Sequence, residues 1–277
     1  SHLPATGKIL KSRFKKIIIH SDLPLADRNA EREVLGMSKD LLKSQWGKVN
    51  DLLTDQKLGK PQPSFEEPFD NNMVILELEK PENLKFGNIS FREVVEKRSS
   101  KRKYSKDPLS IDELSYLLWL TQGIRKITNG ITFRTVPSAG ARHPFETYIF
   151  IFNVLNLNAG LYRYIASQHK LLLIDEGDFR ELLNDACLGQ NFVAQSAAVF
   201  VWSCVPYRTT WRYADLSYKA ILLDAGHLCQ NLYLACESIN CGCCAIAAYN
   251  QEKLDKLLHV DGEKQFSVYL ATVGKIP

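Results

Sequence analysis

The sequence predicts an α+β fold, with helices packed around a sheet that is built partly from hairpins. Three observations carry this prediction. Residues 148–152 and 197–202 are continuous apolar runs of strand length. Residues 161–164 and 170–174 are two short, largely apolar segments close enough to pair as a hairpin. Residues 216–239 form a long apolar segment of helical character, and no regular strand–helix alternation accompanies it, which argues against a doubly wound parallel sheet.

The elements follow in order. Residues 1–17 are basic and read as an arm. From about 26 to 57, spaced apolar residues (Val34, Leu35, Leu41, Leu42, Trp46, Val49, Leu52 and Leu53) suit one long amphipathic helix or two shorter ones. Pro61, Pro63 and Pro68 make residues 59–70 an extended linker, because proline lacks a donor and restricts its predecessor. This is the clearest composition break, and it divides the chain into an extension over 1–80 and a main domain over 81–277. A short strand is expected over 74–78 and a helix over 91–97. Ser110 with Glu113 three residues on is a capping box, and Leu114, Leu117, Leu118 and Thr121 form the stripe of a helix that Gly123 ends. Strands follow over 146–154, 197–205 and 267–273. Within 216–239 the apolar residues leave one narrow polar stripe of Asp224, His227 and Asn231, the mark of a core or interface helix.

Composition excludes several classes. The chain has 277 residues, 45% hydrophobic and 24% charged, with 35 basic against 31 acidic side chains and a net charge of +4. That mild balance gives no reason to expect nucleic acid, and no apolar run is long enough for a membrane helix. Cytoplasmic localisation is expected. Seven cysteines, five of them between 229 and 244, read as buried thiols in a reducing compartment. Cys241-Gly-Cys-Cys244 lacks the second separated pair that a structural zinc site offers, so no metal is expected. His227 beside Asp224 reads as a hydrogen-bonded pair in the core.

Two segments carry candidate chemistry. Arg98, Ser100 and Arg102 alternate, and in an extended segment alternate side chains share one face. Two guanidinium groups with a hydroxyl between them suit a phosphate or carboxylate; the other reading is a solvated basic turn. Pro137-Ser-Ala-Gly140 has small side chains that let backbone approach a flat ligand, with Arg134 and Arg142 on either side. Its alternative is a loop kept small in order to turn. Together they suggest an aromatic, phosphate-bearing cofactor. No dinucleotide fingerprint, P-loop or nucleophile elbow is present.

Arg98-Ser-Ser-Lys-Arg102, the run 114–123, Pro137-Ser-Ala-Gly-Ala-Arg-His-Pro144, Gly160-Leu-Tyr-Arg-Tyr164 and the block 223–232 together resemble the nitroreductase superfamily. More narrowly they resemble its SagB-type, or azoline-oxidase, branch. The resemblance runs from about residue 90 to the end. It implies a mainly antiparallel central sheet flanked by helices, and a homodimer with FMN at each subunit boundary. It also implies that Arg98, Ser100 and Arg102 hold the phosphate and ribityl chain, with Lys275 as a further candidate. Pro137, Ser138, Ala139 and Gly140 would cover the isoalloxazine from the partner subunit, and Ala245, Ile246 and Ala247 would bring backbone near it. Tyr213 matches the tyrosine of the branch's Lys-Tyr pair, whereas Arg212 replaces the lysine, and a guanidinium does not serve readily as a base. The implied activity is dehydrogenation of an azoline or other C–N bond in a peptide-derived or carrier-bound intermediate. The alternatives are an NAD(P)H-dependent nitro or quinone reductase, and a silent scaffold that docks a biosynthetic complex through the extension.

Overall fold

Apolar runs become the strands of one seven-stranded sheet in the computed structural model, which describes residues 41–277 apart from 45, 49 and 71. The strands are β1 (Ile75–Glu77), β4 (Phe145–Ile151), β5 (Gly160–Ile165), β6 (Lys170–Glu176), β7 (Ala198–Cys204), β8 (Cys241–Ile246) and β9 (Phe266–Lys275). Their spatial order is β1-β6-β5-β4-β7-β9-β8, with every neighbouring pair antiparallel. A separate hairpin joins β2 (Ile124–Thr128) to β3 (Ile131–Arg134). The expected α+β class and antiparallel sheet are thus observed.

Each face of the sheet buries its own core because side chains alternate along the strands. Phe145, Ile149, Phe200 and Trp202 point to one face. There they meet α2 (Ile111–Gln122) and α6 (Ser217–Ser238) through Leu114, Leu117, Leu118, Leu228 and Leu232. Tyr148, Phe150, Val199 and Val201 point to the other face, covered by α3 (Arg180–Ala186), α4 (Phe192–Gln195) and α7 (Gln251–Leu257). Burying each such side chain stabilises the fold by roughly 1.5–3 kcal/mol before ordering entropy is counted. Two further helices, α1 (Phe91–Lys97) and α5 (Tyr207–Tyr213), lead into the candidate site.

Local chemistry explains the ends of the helices. The Ser110 hydroxyl accepts from the Glu113 N–H, and the Glu113 carboxylate accepts from the Ser110 N–H, so the predicted capping box forms. Glu113 then uses its other oxygen to bind the Lys275 ammonium, which staples the end of β9 to the start of α2.

One expectation needs correction here. Most of the helix predicted over 26–57 lies outside the described residues, and its described part holds only a 3₁₀ turn at Trp46–Lys48. Tertiary contacts override the periodicity: the Gln56 N–H donates to the Trp211 carbonyl, and the Thr54 hydroxyl accepts from the Lys57 N–H. Asp224, His227 and Asn231 do share one side of α6, and this stripe is turned mostly toward the 135–139 segment. Asp224 is buried, and the Asn231 amide donates to the Leu120 carbonyl at 2.9 Å. The exposed face of α6 instead carries Tyr218, Leu222 and Leu223, the two leucines 57% and 56% exposed.

Residues Gln45–Pro277 form one unit and Ser1–Ser44 another, of which only 41–44 are described. The proline-rich stretch has no regular secondary structure, yet arginines pin it to the sheet. Arg134 donates to the Phe65 carbonyl, Arg163 to the Glu67 and Pro68 carbonyls, and buried Arg208 pairs with both Glu67 and Glu146. Among the described residues no helix is long and apolar enough to cross a membrane.

Candidate functional site

After α1 the chain stays extended and lies along the free edge of β8. Ser100 forms a parallel bridge with Cys243, and the Lys101 N–H donates to the Cys243 carbonyl at 2.9 Å. The ring of Tyr104 fixes this arrangement. It covers the facing pair Gly242 and Gly274, where a Cβ on Gly274 would come within 2.8 Å of it, and its hydroxyl donates to the Lys101 carbonyl. Glycine is therefore needed at Gly274 for close approach.

This edge brings two of the three predicted anion ligands together. The Ser100 hydroxyl lies 2.9 Å from the Tyr233 hydroxyl, which also accepts from the Ala245 N–H at 2.8 Å. The Arg98 guanidinium sits over the Tyr233 ring, 5.4 Å from its centroid. Arg102 turns instead toward Phe192, 5.8 Å from that ring, and toward the Cys244 thiol. Neither arginine forms an ion pair among the described residues, whereas Lys101 between them binds Glu237 at 3.1 Å. The edge therefore presents guanidinium groups that no carboxylate among the described residues neutralises, which suits an incoming phosphate. Lys275 is differently placed, since its ammonium is engaged by Glu113. Of the three predicted residues at the end of β8, Ala245 is half-buried at Tyr233, and Ala247, just past the strand, is exposed. The Ile246 side chain is buried in the core on the opposite face, so only its backbone is available.

The second cluster gathers around the start of α6. The Ser138 hydroxyl donates to Asp224 at 2.5 Å, the Ala139 N–H donates to the same carboxylate at 3.2 Å, and the His143 N–H donates to the Ser138 hydroxyl at 2.9 Å. Asp224 thereby holds a loop in which Gly140, Ala141 and His143 all have positive φ, a backbone state that costs energy without a glycine. A Cβ on Gly140 would collide with the Tyr213 hydroxyl. Tyr213 closes α5, and the Arg212 guanidinium lies 5.5 Å from its ring centroid. The predicted loop and the predicted Tyr213–Arg212 pair therefore meet.

Burial governs the electrostatics here. It pushes the Asp224 carboxyl above the usual range, against the hydrogen bonds from Ser138 and Ala139. It drives the His143 imidazole down to about 3, with Arg134 adding to the effect, so His143 is neutral. Arg134 and Arg142 are both buried and engaged, with Gln122 and with the Arg208 carbonyl, so neither is free to meet an acidic ligand. The Asp224–His227 pair is also not as expected: the nearest atoms are 3.9 Å apart and His227 faces solvent. All seven cysteines are buried and free, and desolvation lifts Cys187, Cys204 and Cys229 to about 12.

Within one chain the two clusters stay apart. Tyr233 lies nine residues after Asp224 on α6, roughly 13 Å along the axis. Tyr233 itself was not singled out by sequence reasoning, and an aromatic residue on a long apolar helix gives no signal that separates it from core.

Comparison with known proteins places these features. The nitroreductase family model matches residues 95–275. A Methanocaldococcus jannaschii protein named as a nitroreductase, MJ1384, is 32% identical over 187 residues, 68% of this chain and 91% of that protein. The trifolitoxin-processing protein TfxB of Rhizobium leguminosarum bv. trifolii is 30% identical over 128 residues, 44% of this chain. The chain spans only 34% of TfxB. In solved structures, the fold is shared with a chain of the E. coli microcin synthetase McbBCD complex with truncated pro-MccB17 bound, at a TM-score of 0.55 and 19% identity. That match covers 92% of this chain and 98% of the other.

Proposed function

Because the chain belongs to the nitroreductase family, we propose that it is an FMN-dependent oxidoreductase of the SagB type. Its reaction is dehydrogenation of an azoline or another C–N bond in a peptide-derived or carrier-bound intermediate. The observation that carries this reading is the edge of β8, where Arg98, Ser100 and Arg102 offer donors that no carboxylate of the described chain neutralises.

The donor chemistry there fits FMN. Arg98 and Ser100 would hold the phosphate and ribityl chain, with Arg102 at the flank and Tyr233 orienting the Ser100 hydroxyl. The Pro137–Gly140 loop, rigid because Asp224 engages it, would exclude water from the ring. The two clusters lie well apart on α6, so a complete site needs a second copy whose loop reaches the first copy's edge. The exposed leucine face of α6 supports such a homodimer. When bound, FMN supplies a ring that accepts a hydride from the substrate carbon. Tyr213 relays the proton that leaves the substrate, and Arg212 orients a substrate carboxylate or carbonyl. The trifolitoxin-processing relative supports a peptide-derived substrate and a biosynthetic complex as partner.

Anaerobic mixing of the purified yellow protein with a thiazoline-containing peptide should bleach the flavin. Persistent colour with every azoline tried overturns the reading. Rapid bleaching by NADPH alone would establish the second reading, a nitro or quinone reductase. That reading is favoured by the longer match to MJ1384 and by Arg212 standing where the azoline-oxidase branch has lysine.

A further inference from the structure

The helix that carries Tyr213 cannot hold its position unaided. α5 has seven residues, and helices shorter than about 12 residues are marginal without tertiary contacts. No side chain caps its start, and Ala214, directly after Tyr213, takes φ 46° and ψ −138°. A residue other than glycine stays in that region only where its surroundings enforce it. On the sheet side the grip comes from buried Arg208, which pairs with Glu67 and Glu146, and from Arg142, which donates to the Arg208 carbonyl. On the outer side it comes from residues 55–60, some 150 positions earlier in the chain. At the start of α5 the Tyr207 hydroxyl donates to Asp55 at 2.8 Å, and the other Asp55 oxygen pairs with Lys60 at 2.9 Å. Near its end the Gln56 N–H donates to the Trp211 carbonyl at 2.9 Å, and the Trp211 indole N–H donates to the Lys60 carbonyl at 3.0 Å. The Trp211 carbonyl is one of the last in the helix, which lack partners within it, so Gln56 supplies what α5 cannot. One turn thus holds both ends, and it is closed on itself by the Lys60 N–H donating to the Asp55 carbonyl. Tyr213 has little room to move, since its hydroxyl lies against Gly140 and its ring meets the Trp46 indole edge-on at 5.0 Å.

We propose that the 55–60 turn is a clamp that sets where Tyr213 stands, with Asp55 as its central positioning residue. The segment before the sheet is then a working part of the site and not an appendage to it. This rests on the proposed function for the role of Tyr213, whereas the clamp itself rests on the hydrogen bonds. A proton relay is sensitive to such a clamp because a small displacement of a reacting group costs far more rate than stability.

The test uses the full chain loaded with FMN and reads two signals. In anaerobic single turnover with a thiazoline-containing peptide, Asp55→Ala should slow flavin bleaching by about ten-fold. Asp55→Asn keeps an acceptor for the Tyr207 hydroxyl and loses only a surface ion pair, so it should stay within about two-fold of wild type. The half-saturating peptide concentration and the FMN affinity should stay within about two-fold in both variants. In a Tyr213→Phe background, Asp55→Ala should slow bleaching no further. A loss of the same size there marks general damage and overturns the proposal. Hydrogen exchange supplies the readout that needs no turnover. The amides of α5 should exchange about ten-fold faster in Asp55→Ala, with those of β4 and β7 unchanged. Unchanged exchange in α5 overturns the clamp, and faster exchange with unchanged bleaching overturns its role at Tyr213. A wild type that never bleaches with azolines sinks the proposed activity, and the exchange rates then decide the clamp by themselves.

Discussion

The edge of β8 and the loop over α6 are both made from short polar segments, yet they use their polar groups in opposite ways. At the edge, Arg98 and Arg102 lie over aromatic rings and find no carboxylate among the described residues. At the loop, Ser138 and the Ala139 N–H are consumed by Asp224, and the Ser138 hydroxyl is consumed again by the His143 N–H. The contrast distinguishes a surface made to receive a ligand from a wall made to hold its shape. Donors that the fold does not need cost little stability to remove, whereas groups that satisfy one another beneath a strained backbone cannot be removed without cost.

The largest expected effect therefore falls on ligand affinity at the edge. Each charged hydrogen bond to a phosphate contributes about 1.5–3 kcal/mol, so Arg98→Ala should weaken FMN binding by about 10- to 100-fold. Equilibrium titration of the apoprotein with FMN reads this directly. The melting temperature of the same variant should move little, since the half-buried guanidinium gives up only its contact with the Tyr233 ring, about 0.5–1 kcal/mol. A variant that melts early while keeping its flavin would erase the distinction between the two regions.

At the loop the order reverses. Asp224→Ala leaves the Ser138 hydroxyl and the Ala139 N–H without their acceptor, and should cost about 2–3 kcal/mol in denaturant unfolding. The carboxyl also carries a pH signature. Its folded pKa is raised by burial, so the stability it contributes is fully present below its ordinary value and is lost as pH rises through the folded value. Asp224→Asn cannot ionise. The stability of wild type relative to Asp224→Asn should therefore fall as pH climbs through the acid range, and a gap that widens instead contradicts the burial argument. Gly140→Ala is the next step down, at about 1–3 kcal/mol for a non-glycine residue forced to positive φ, and its Cβ would displace the Tyr213 hydroxyl. Loss of turnover with intact flavin content would mark that displacement.

How much of this could be read beforehand follows from the range of the signals. The capping box at Ser110 and Glu113 was legible because its partners are three residues apart. The β5–β6 hairpin was legible from two close apolar runs. The likeness to the nitroreductase family and its SagB-type branch, carried by the Arg98–Arg102, Pro137–Pro144 and 223–232 blocks, is borne out by the family model and by the toxin-processing relative. The β2–β3 hairpin was missed although its signal is present. Asn129 and Gly130 stand between alternating runs, and both have positive φ, as a tight hairpin turn requires. Strand β8 was not assigned, although its cysteines were read as buried thiols and are buried in the sheet as small apolar groups. Asp224 was assigned to a polar stripe with His227. Its true partner, Ser138, is 86 residues away, and no local spacing reports such a contact.

Lys275 offers the smallest effect and the sharpest edge to the comparison, because likeness to the family puts it with the phosphate ligands and the fold puts it with the internally satisfied groups. Burial works against its charge, yet the hydrogen bond to Glu113 holds the ammonium above the usual lysine value. A raised folded pKa means that the stabilisation is fully present below about 10.5 and is lost as pH rises through the folded value. Lys275→Met should therefore cost up to about 1 kcal/mol between neutrality and mild alkali, with the difference from wild type closing at higher pH. The capping box survives, since Glu113 serves it through the other oxygen. FMN affinity should stay within about two-fold. If affinity falls instead by the factor expected for Arg98→Ala while melting is unchanged, Lys275 leaves Glu113 for the phosphate when ligand arrives, and the edge region extends across β8 to the end of β9.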